Sequence, residues 1–283
     1  MTKAAILRNL LAKEETILAP CAFDAISARM IEKAGFKLAG TTGNGMHGVM
    51  LGKPDSGLIA FNEMADALGK MCDAVSIPII ADAEGGYGNA INTIRTVKTF
   101  EKAGLGGLFI EDQRLPPNCP FLKQAQMIST AEMIGKIKAA VDTRTDPNFV
   151  IVARSDAPFD EACDRLNMYA EAGADLVKAV PKTHSEFMEL PKRVKTPLHF
   201  GFTSRKGIHD GMNAWEVGKV GYKIVTFPMV PFSIMAYSGF EALKTLMKEG
   251  TDEKTTNMFT LEEYFDFIGF DELRALEKKY LAE

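Results

Sequence analysis

The chain has 283 residues and a formal net charge of −4, with 46% hydrophobic and 25% charged residues, so it can bury a large core. It contains no basic run and no Lys/Arg patch interleaved with aromatics, which excludes the electrostatic footprint of a nucleic-acid binder. No apolar run approaches membrane-spanning length, so no membrane partner is expected.

The opening Met1-Thr2-Lys3 leads into a leucine-bearing amphipathic stretch with Arg8, Lys13 and Glu14, without the apolar core and cleavage site of a signal peptide. Cys21, Cys72, Cys119 and Cys163 are scattered, with no C-x-x-C pair and no zinc pattern. Reduced thiols and a cytoplasmic setting are the expectation.

From there, strand-length apolar runs alternate with helix-period segments, the pattern of a parallel sheet covered by helices. The strand candidates are Ile17–Ala22, Leu38–Thr42, Pro78–Ala83, Gly107–Glu111, Phe149–Arg154, Ala174–Val180, Pro197–Phe202 and Ile224–Pro228. Helical stretches between them include Asp24–Ala34, Phe61–Val75, Ala90–Ala103, Thr130–Thr143, Asp160–Ala172 and Ser185–Val194, with Asp24 and Asn62 as cap-region residues. An Ala-Gly pair recurs at Gly35, Gly104 and Gly173, 69 positions apart each time and about twice a βα unit of ~35 residues. Each pair is expected to end a helix with a left-handed glycine and lead into strands 2, 4 and 6. Eight even units fit a closed (β/α)₈ TIM barrel better than an open doubly wound sheet.

After the eighth strand, a long helix is expected over Pro231–Gly250, then a helical tail over Leu261–Leu281. The organisation reads as one barrel domain over 1–283, with 251–283 a C-terminal helical extension. Surplus apolar residues there, including Phe259, Tyr264, Phe265, Phe267, Ile268 and Phe270, suit packing on a partner subunit.

In such barrels the reacting groups gather at the C-terminal ends of strands. The third strand ends Asp82-Ala83-Glu84, and an extended backbone would point both carboxylates to one side, where oxygen ligands could hold a hard dication such as Mg²⁺. The alternative is that Asp82 caps a helix and Glu84 faces solvent. The fourth strand ends Glu111-Asp112-Gln113, with Glu111 the better inward candidate. The fifth ends at Arg154, whose fork of donors could grip a substrate carboxylate or pair with a neighbouring acid. Thr41-Thr42-Gly43-Asn44-Gly45 after strand 2 could cradle an oxyanion with exposed amides. His47, in the long loop after strand 2, and His199, inside strand 7, read as structural rather than catalytic.

With these motifs the chain resembles the isocitrate lyase/phosphoenolpyruvate mutase superfamily, nearest its short 2-methylisocitrate lyase-like and carboxyphosphonoenolpyruvate mutase-like members. The likeness runs through Pro20–Ala25, Leu51–Gly57, Ala81–Asn89, Ile110–Gln113 and Ala153–Ala157, in order and at family-like spacing. It implies a homotetrameric barrel whose last helix is exchanged between subunits, a Mg²⁺ site in which Mn²⁺ could substitute, and chemistry through a pyruvate-like enolate. Carried over by position, Asp82 is the central metal-site acid, with Glu84, Glu111 and Asp55 supporting it. Thr42, Gly43 and Asn44 hold the pyruvyl carboxylate of a 2-oxo or 2-hydroxy acid, aided by Arg154.

Two departures stand out. The family's lyases carry a Lys-Arg-Cys-Gly-His loop whose cysteine is an acid/base; Cys119 stands at that spacing, eight beyond Glu111, but between Asn118 and Pro120. At the end of strand 6 the lyase pattern has a glutamate where this chain has Val180, and Ser204-Arg205-Lys206 follows strand 7. The leading expectation is a carbon–carbon lyase that cleaves a substituted malate or 2-methylisocitrate-like acid, with Cys119, Arg154 and Asp55 catalytic. The alternatives are a phosphonopyruvate-type mutase or hydrolase, an oxaloacetate decarboxylase or hydrolase, and a barrel that only binds a metabolite.

Overall fold

The computed structural model describes residues 1–117, 125–202 and 207–281. They form two compact units, Met1–Phe232 and Ser233–Glu283.

The first unit opens with α1 (Lys3–Lys13) and then alternates strands and helices. The strands are β1 (Ile17–Ala22), β2 (Ala39–Thr41), β3 (Ile79–Asp82), β4 (Gly107–Glu111), β5 (Val150–Ser155), β6 (Leu176–Ala179), β7 (Leu198–Gly201) and β8 (Tyr222–Phe227). Between them lie α2 (Ala25–Lys33), α3 (Gly43–Leu51), α4 (Phe61–Ala74), α5 (Ala90–Lys102), α6 (Thr130–Thr143), α7 (Phe159–Glu171), α8 (His184–Arg193) and α9 (Ala214–Val220). The strands are parallel and pair in chain order into a closed barrel, β8 returning to β1. Each strand lies within two residues of its expected bounds at either end. Gly35, Gly104 and Gly173 have φ of 90°, 90° and 107°, so the repeated Ala-Gly does end helices in the conformation that a side chain disfavours.

Because successive strand residues alternate faces, the barrel has two apolar layers. Ile17, Leu38, Ile80, Phe109, Val152, Leu176 and Ile224 fill the interior, joined from below by Leu7 of α1. Arg8 fixes α1 at the N-terminal ends of the strands by donating from Nε to the Asn148 carbonyl at 3.0 Å. The alternate residues, such as Ile79, Leu108, Ile151, Val177 and Val225, pack outward against the helices. The interior is thus plugged below by α1, and its cavity lies toward the strand C-termini.

Two expectations need correction. Asp24 caps α2, accepting from Ser27 N–H at 2.7 Å, but Asn62 is not a cap: Ala60 holds that position and Glu63 accepts its N–H at 2.8 Å. The segment after β2 is the helix α3 rather than a loop, so His47 is helical. The C-terminal tail is two helices, α11 (Leu261–Ile268) and α12 (Phe270–Tyr280), broken at Gly269 where φ is 83°. They follow α10 (Val230–Glu249), within which the boundary between the two units falls. In the second unit Ile234, Tyr237, Phe240, Leu243, Met247, Leu273 and Leu276 are exposed.

Candidate active site

The C-terminal ends of the strands open on a cavity of about 840 Å³. Thr42, Gly43, Asn44, Asp55, Asp82, Glu84, Glu111 and Arg154 all line it. Cys119 and Ser204-Arg205-Lys206 lie outside the described residues.

β2 delivers the chain directly into α3, whose cap is Thr42; its hydroxyl accepts from Gly45 N–H at 3.4 Å. The amides expected in a loop are therefore the first turn of a helix, where unpaired N–H groups and the macrodipole both favour an anion. Gly43 is needed here because the Asp55 carboxylate closes in: a Cβ would lie 2.2 Å from Asp55 Oδ2. His47, one turn on, is buried. Its Nε2 accepts from Leu58 N–H at 3.1 Å, which leaves the proton on Nδ1, 2.9 Å from the Gly43 carbonyl and 3.4 Å from Asp55 Oδ1. His47, Asp55 and Glu84 offer ligand atoms within 4.8 Å of one another, but both ring nitrogens of His47 are spent. It positions Asp55, and the carboxylates are the free donors.

Asp82 ends β3, its N–H donating to Thr41 Oγ1 at 2.8 Å and its Oδ1 accepting from Glu84 N–H at 2.9 Å. The extended-backbone argument for Glu84 fails: its φ is 50°, so a left-handed turn, not strand alternation, brings the carboxylate to the cavity. Such a conformation costs on the order of 1–3 kcal/mol in a non-glycine residue and is held by surrounding contacts; here Glu84 O accepts from Glu111 N–H at 2.9 Å.

Burial pushes the Glu84 carboxyl up to about 9, with the charges of Asp82, Glu111 and Asp55 adding to it. Burial likewise raises Glu111 to about 8, against the pull of Arg154. Asp55 rises to about 6 through burial and Asp82, and Asp82 itself is raised by burial. Four crowded carboxyls with hard oxygen donors are the set that a dication such as Mg²⁺ satisfies and whose repulsion it relieves.

Glu111 and Asp112 separate by strand alternation. Glu111 faces the cavity, 3.0 Å from Arg154 Nη1. Asp112 faces the helices, accepting from Ser155 Oγ at 2.7 Å, Tyr169 Oη at 2.9 Å, Asp156 N–H at 3.1 Å and Arg165 Nη1 at 3.2 Å. Asp156 in turn grips Arg154 at Nε and Nη2, at 3.0 and 2.8 Å, and accepts from Gln113 Nε2 at 2.6 Å. The guanidinium thus spends three of its five N–H donors on neighbouring acids. Burial opposes its charge, but Asp156 and Glu111 outweigh that and keep it protonated.

The other half of the cavity wall is formed by β6, β7, β8 and β1. His199 Nε2 lies 2.8 Å from Thr226 Oγ1, which itself donates to the Phe200 carbonyl at 3.2 Å. Thr226 therefore accepts from a neutral His199, whose own protonation burial disfavours strongly, Lys178 and Arg154 adding to it. Val180 lines the cavity where the expected glutamate is absent. Lys178 lines it too, and sequence reasoning passed over it; the signal was a single lysine on the inward register of an apolar strand. Burial lowers its ammonium to about 8, with Arg154 adding and Asp82 opposing.

Residues 7–246 match the family model for phosphoenolpyruvate phosphomutase. The chain is 35% identical to 2,3-dimethylmalate lyase of Eubacterium barkeri over 99% of both chains. It is 35% identical to 2-methylisocitrate lyase of Aeropyrum pernix, covering 94% of this chain and 87% of the relative. Its fold superposes with a TM-score of 0.92 on a phosphoenolpyruvate phosphomutase crystal structure from Streptomyces platensis subsp. rosaceus, at 29% identity over 99% of each chain.

Proposed function

Because the chain belongs to the phosphoenolpyruvate mutase family, within the isocitrate lyase/phosphoenolpyruvate mutase superfamily, we propose that it is a Mg²⁺-dependent carbon–carbon lyase that releases a 2-oxo acid from a substituted malate. The observation that carries this reading is the convergence of Asp55, Asp82, Glu84 and Glu111 beside the first turn of α3 and Arg154. The full-length likeness to an enzyme named 2,3-dimethylmalate lyase supports the reaction class.

In this reading Asp82, Glu84 and Glu111 hold the metal, with Asp55 supporting. When bound, Mg²⁺ supplies positive charge to an oxygen on which negative charge develops; Mn²⁺ could replace it. The amides of Gly43 and Asn44, the Thr42 side chain and the two remaining Arg154 donors hold the carboxylate of the 2-hydroxy acid head. Asp55, fixed by His47, accepts the proton of the substrate hydroxyl. The bond from the carbinol carbon to its neighbour then breaks, the carbinol carbon becomes the carbonyl of the released 2-oxo acid, and the neighbour keeps the electron pair. Cys119 delivers a proton to that carbon. The exposed apolar residues of α10 and α12 support a homotetramer with an exchanged helix, and 251–283 as a helical extension of one barrel domain.

The test is to incubate the protein and Mg²⁺ with 2,3-dimethylmalate, 2-methylisocitrate and plain malate and to follow 2-oxo acid by NADH-coupled reduction. No 2-oxo acid from any of them overturns the lyase reading. A second reading, a phosphonate or oxaloacetate reaction, is favoured by one observation: Pro117, Asn118, Pro120 and Phe121 around Cys119 replace the cationic lyase loop. Phosphate release from phosphonopyruvate, its isomerisation to phosphoenolpyruvate, or decarboxylation of oxaloacetate would select it. Among the described residues no helix is long and apolar enough to cross a membrane.

A further inference from the structure

Lys178 is the only charged residue of β6. Leu176, two positions earlier, belongs to the apolar filling of the barrel interior, whereas Val177 belongs to the outer layer, so strand alternation turns Lys178 inward. It stands in register with Arg154, which stands in register with Glu111. Three polar side chains thus run side by side around one level of the barrel, acid, cation, cation.

The two cations are treated differently. Arg154 is tied to Glu111 and Asp156 by three contacts. Lys178 makes no hydrogen bond or ion pair among the described residues; its Nζ sits over the face of Phe109, 5.0 Å from the ring centroid. A cation–π contact is worth about 0.5–2 kcal/mol, well short of the cost of withdrawing an ammonium from water without an acceptor. Nor does the surrounding wall supply a charged one. His199 is neutral, its Nε2–H given to Thr226 and its Nδ1 in no hydrogen bond with Lys178, and Val180, which lines the cavity just past the strand, is an aliphatic side chain. The groups that favour its charged form are Asp82, the buried Cys21 thiol and Asp156. Asp156 is already clamped on Arg154, and a dication held by Asp82 and its neighbours would cancel much of the remaining negative field. Lys178 would then face the cavity as an uncompensated positive charge.

We propose that Lys178 anchors the tail of the substrate: its ammonium receives a second anionic group, a carboxylate or a phosphonate, carried on the carbon next to the 2-oxo or 2-hydroxy acid head. This rests on the metal-site reading above, since the head must be fixed by the acid cluster for the tail to have a defined direction. The dimensions suit a short diacid. Glu111 and Lys178 are on strands two apart, about 9–10 Å between backbones at ~4.8 Å per strand, and both side chains extend toward the centre.

Three acids with one head separate the possibilities: lactate has no anionic tail, malate adds a carboxylate, and 3-phosphonolactate adds a phosphonate. Binding to the wild-type protein in saturating Mg²⁺, read by titration calorimetry, should be at least about tenfold tighter for malate or 3-phosphonolactate than for lactate, the worth of one charge-assisted hydrogen bond. The tighter of the two identifies the tail chemistry. In Lys178→Met the preference should fall to within about twofold of unity while oxalate and lactate bind as in the wild type, which also verifies an intact fold. Lys178→Arg should keep part of the preference. A preference that survives Lys178→Met, or a loss that falls equally on lactate and the tailed acids, overturns the proposal. If oxalate itself fails to bind the wild-type protein with Mg²⁺, the metal-site reading falls first; if oxalate binds and no tail preference exists, only the role of Lys178 falls.

Discussion

The two halves of the barrel mouth are built on opposite principles. On the β2–β5 side nearly every polar group is fixed by another: Thr41 holds Asp82, Asp82 holds the Glu84 amide, His47 holds Asp55, and Asp112 and Asp156 set Arg154. On the β6–β1 side the groups are few, and one cation has no acceptor among the described residues. The difference assigns the tasks. Chemistry that needs developing charge to be met without reorganisation belongs to the first half, whereas a wall with spare binding capacity suits selection between substrates.

Four substitutions test this division. Asp82→Ala should abolish oxalate-dependent Mg²⁺ binding in calorimetry and lower turnover about 10³-fold or more; retained metal binding would mean that the acid cluster is not the metal site. Asp112→Ala acts behind the wall, removing the shared acceptor of Ser155, Tyr169 and Arg165 Nη1 while Glu161 still pairs Arg165, and should lower unfolding free energy in urea by about 3 kcal/mol. A loss below about 1 kcal/mol would show that the β4–β5 side is less firmly fixed than its hydrogen bonds suggest. Cys119→Ala should reduce turnover about 10²-fold with oxalate affinity kept, and unchanged turnover would move the assignment to the phosphonate and oxaloacetate reactions. The smallest effect belongs to Thr226→Val, which removes the acceptor of His199 and should cost about 1 kcal/mol in stability without changing Mg²⁺ or oxalate binding. Weakened oxalate binding in that variant would show that the two halves are not independent.

Asp82, Glu111 and Arg154 were legible because a barrel exposes the residues that end its strands, and apolar runs that stop at a charge mark those ends. The glycine turns at 35, 104 and 173 were legible for a local reason, their conformation. What escaped was set by contacts distant in sequence. Gly43, Gly45 and Gly48 read as loop residues because glycine is a poor helix former, yet they lie in α3. A Cβ at Gly45 would meet Phe23 Cβ at 2.9 Å, and one at Gly48 would meet Phe232 Cζ at 2.5 Å, so these glycines serve close packing. Glu84 reached the cavity through a left-handed turn that no two-residue rule supplies. Lys178 escaped because the barrel register, not its neighbours in sequence, turns it inward.

The chain of contacts from Asp112 through Asp156 to Arg154 has a thermodynamic consequence. With Nε and both terminal nitrogens already engaged, the guanidinium loses its rotamer freedom when the protein folds. A ligand that docks on it forgoes the ~0.5–1.5 kcal/mol that ordering such a side chain ordinarily costs on association. Small rigid acids should therefore bind with an unusually mild entropy penalty, and Arg154→Lys, which keeps the charge but lacks the fork, should restore that penalty.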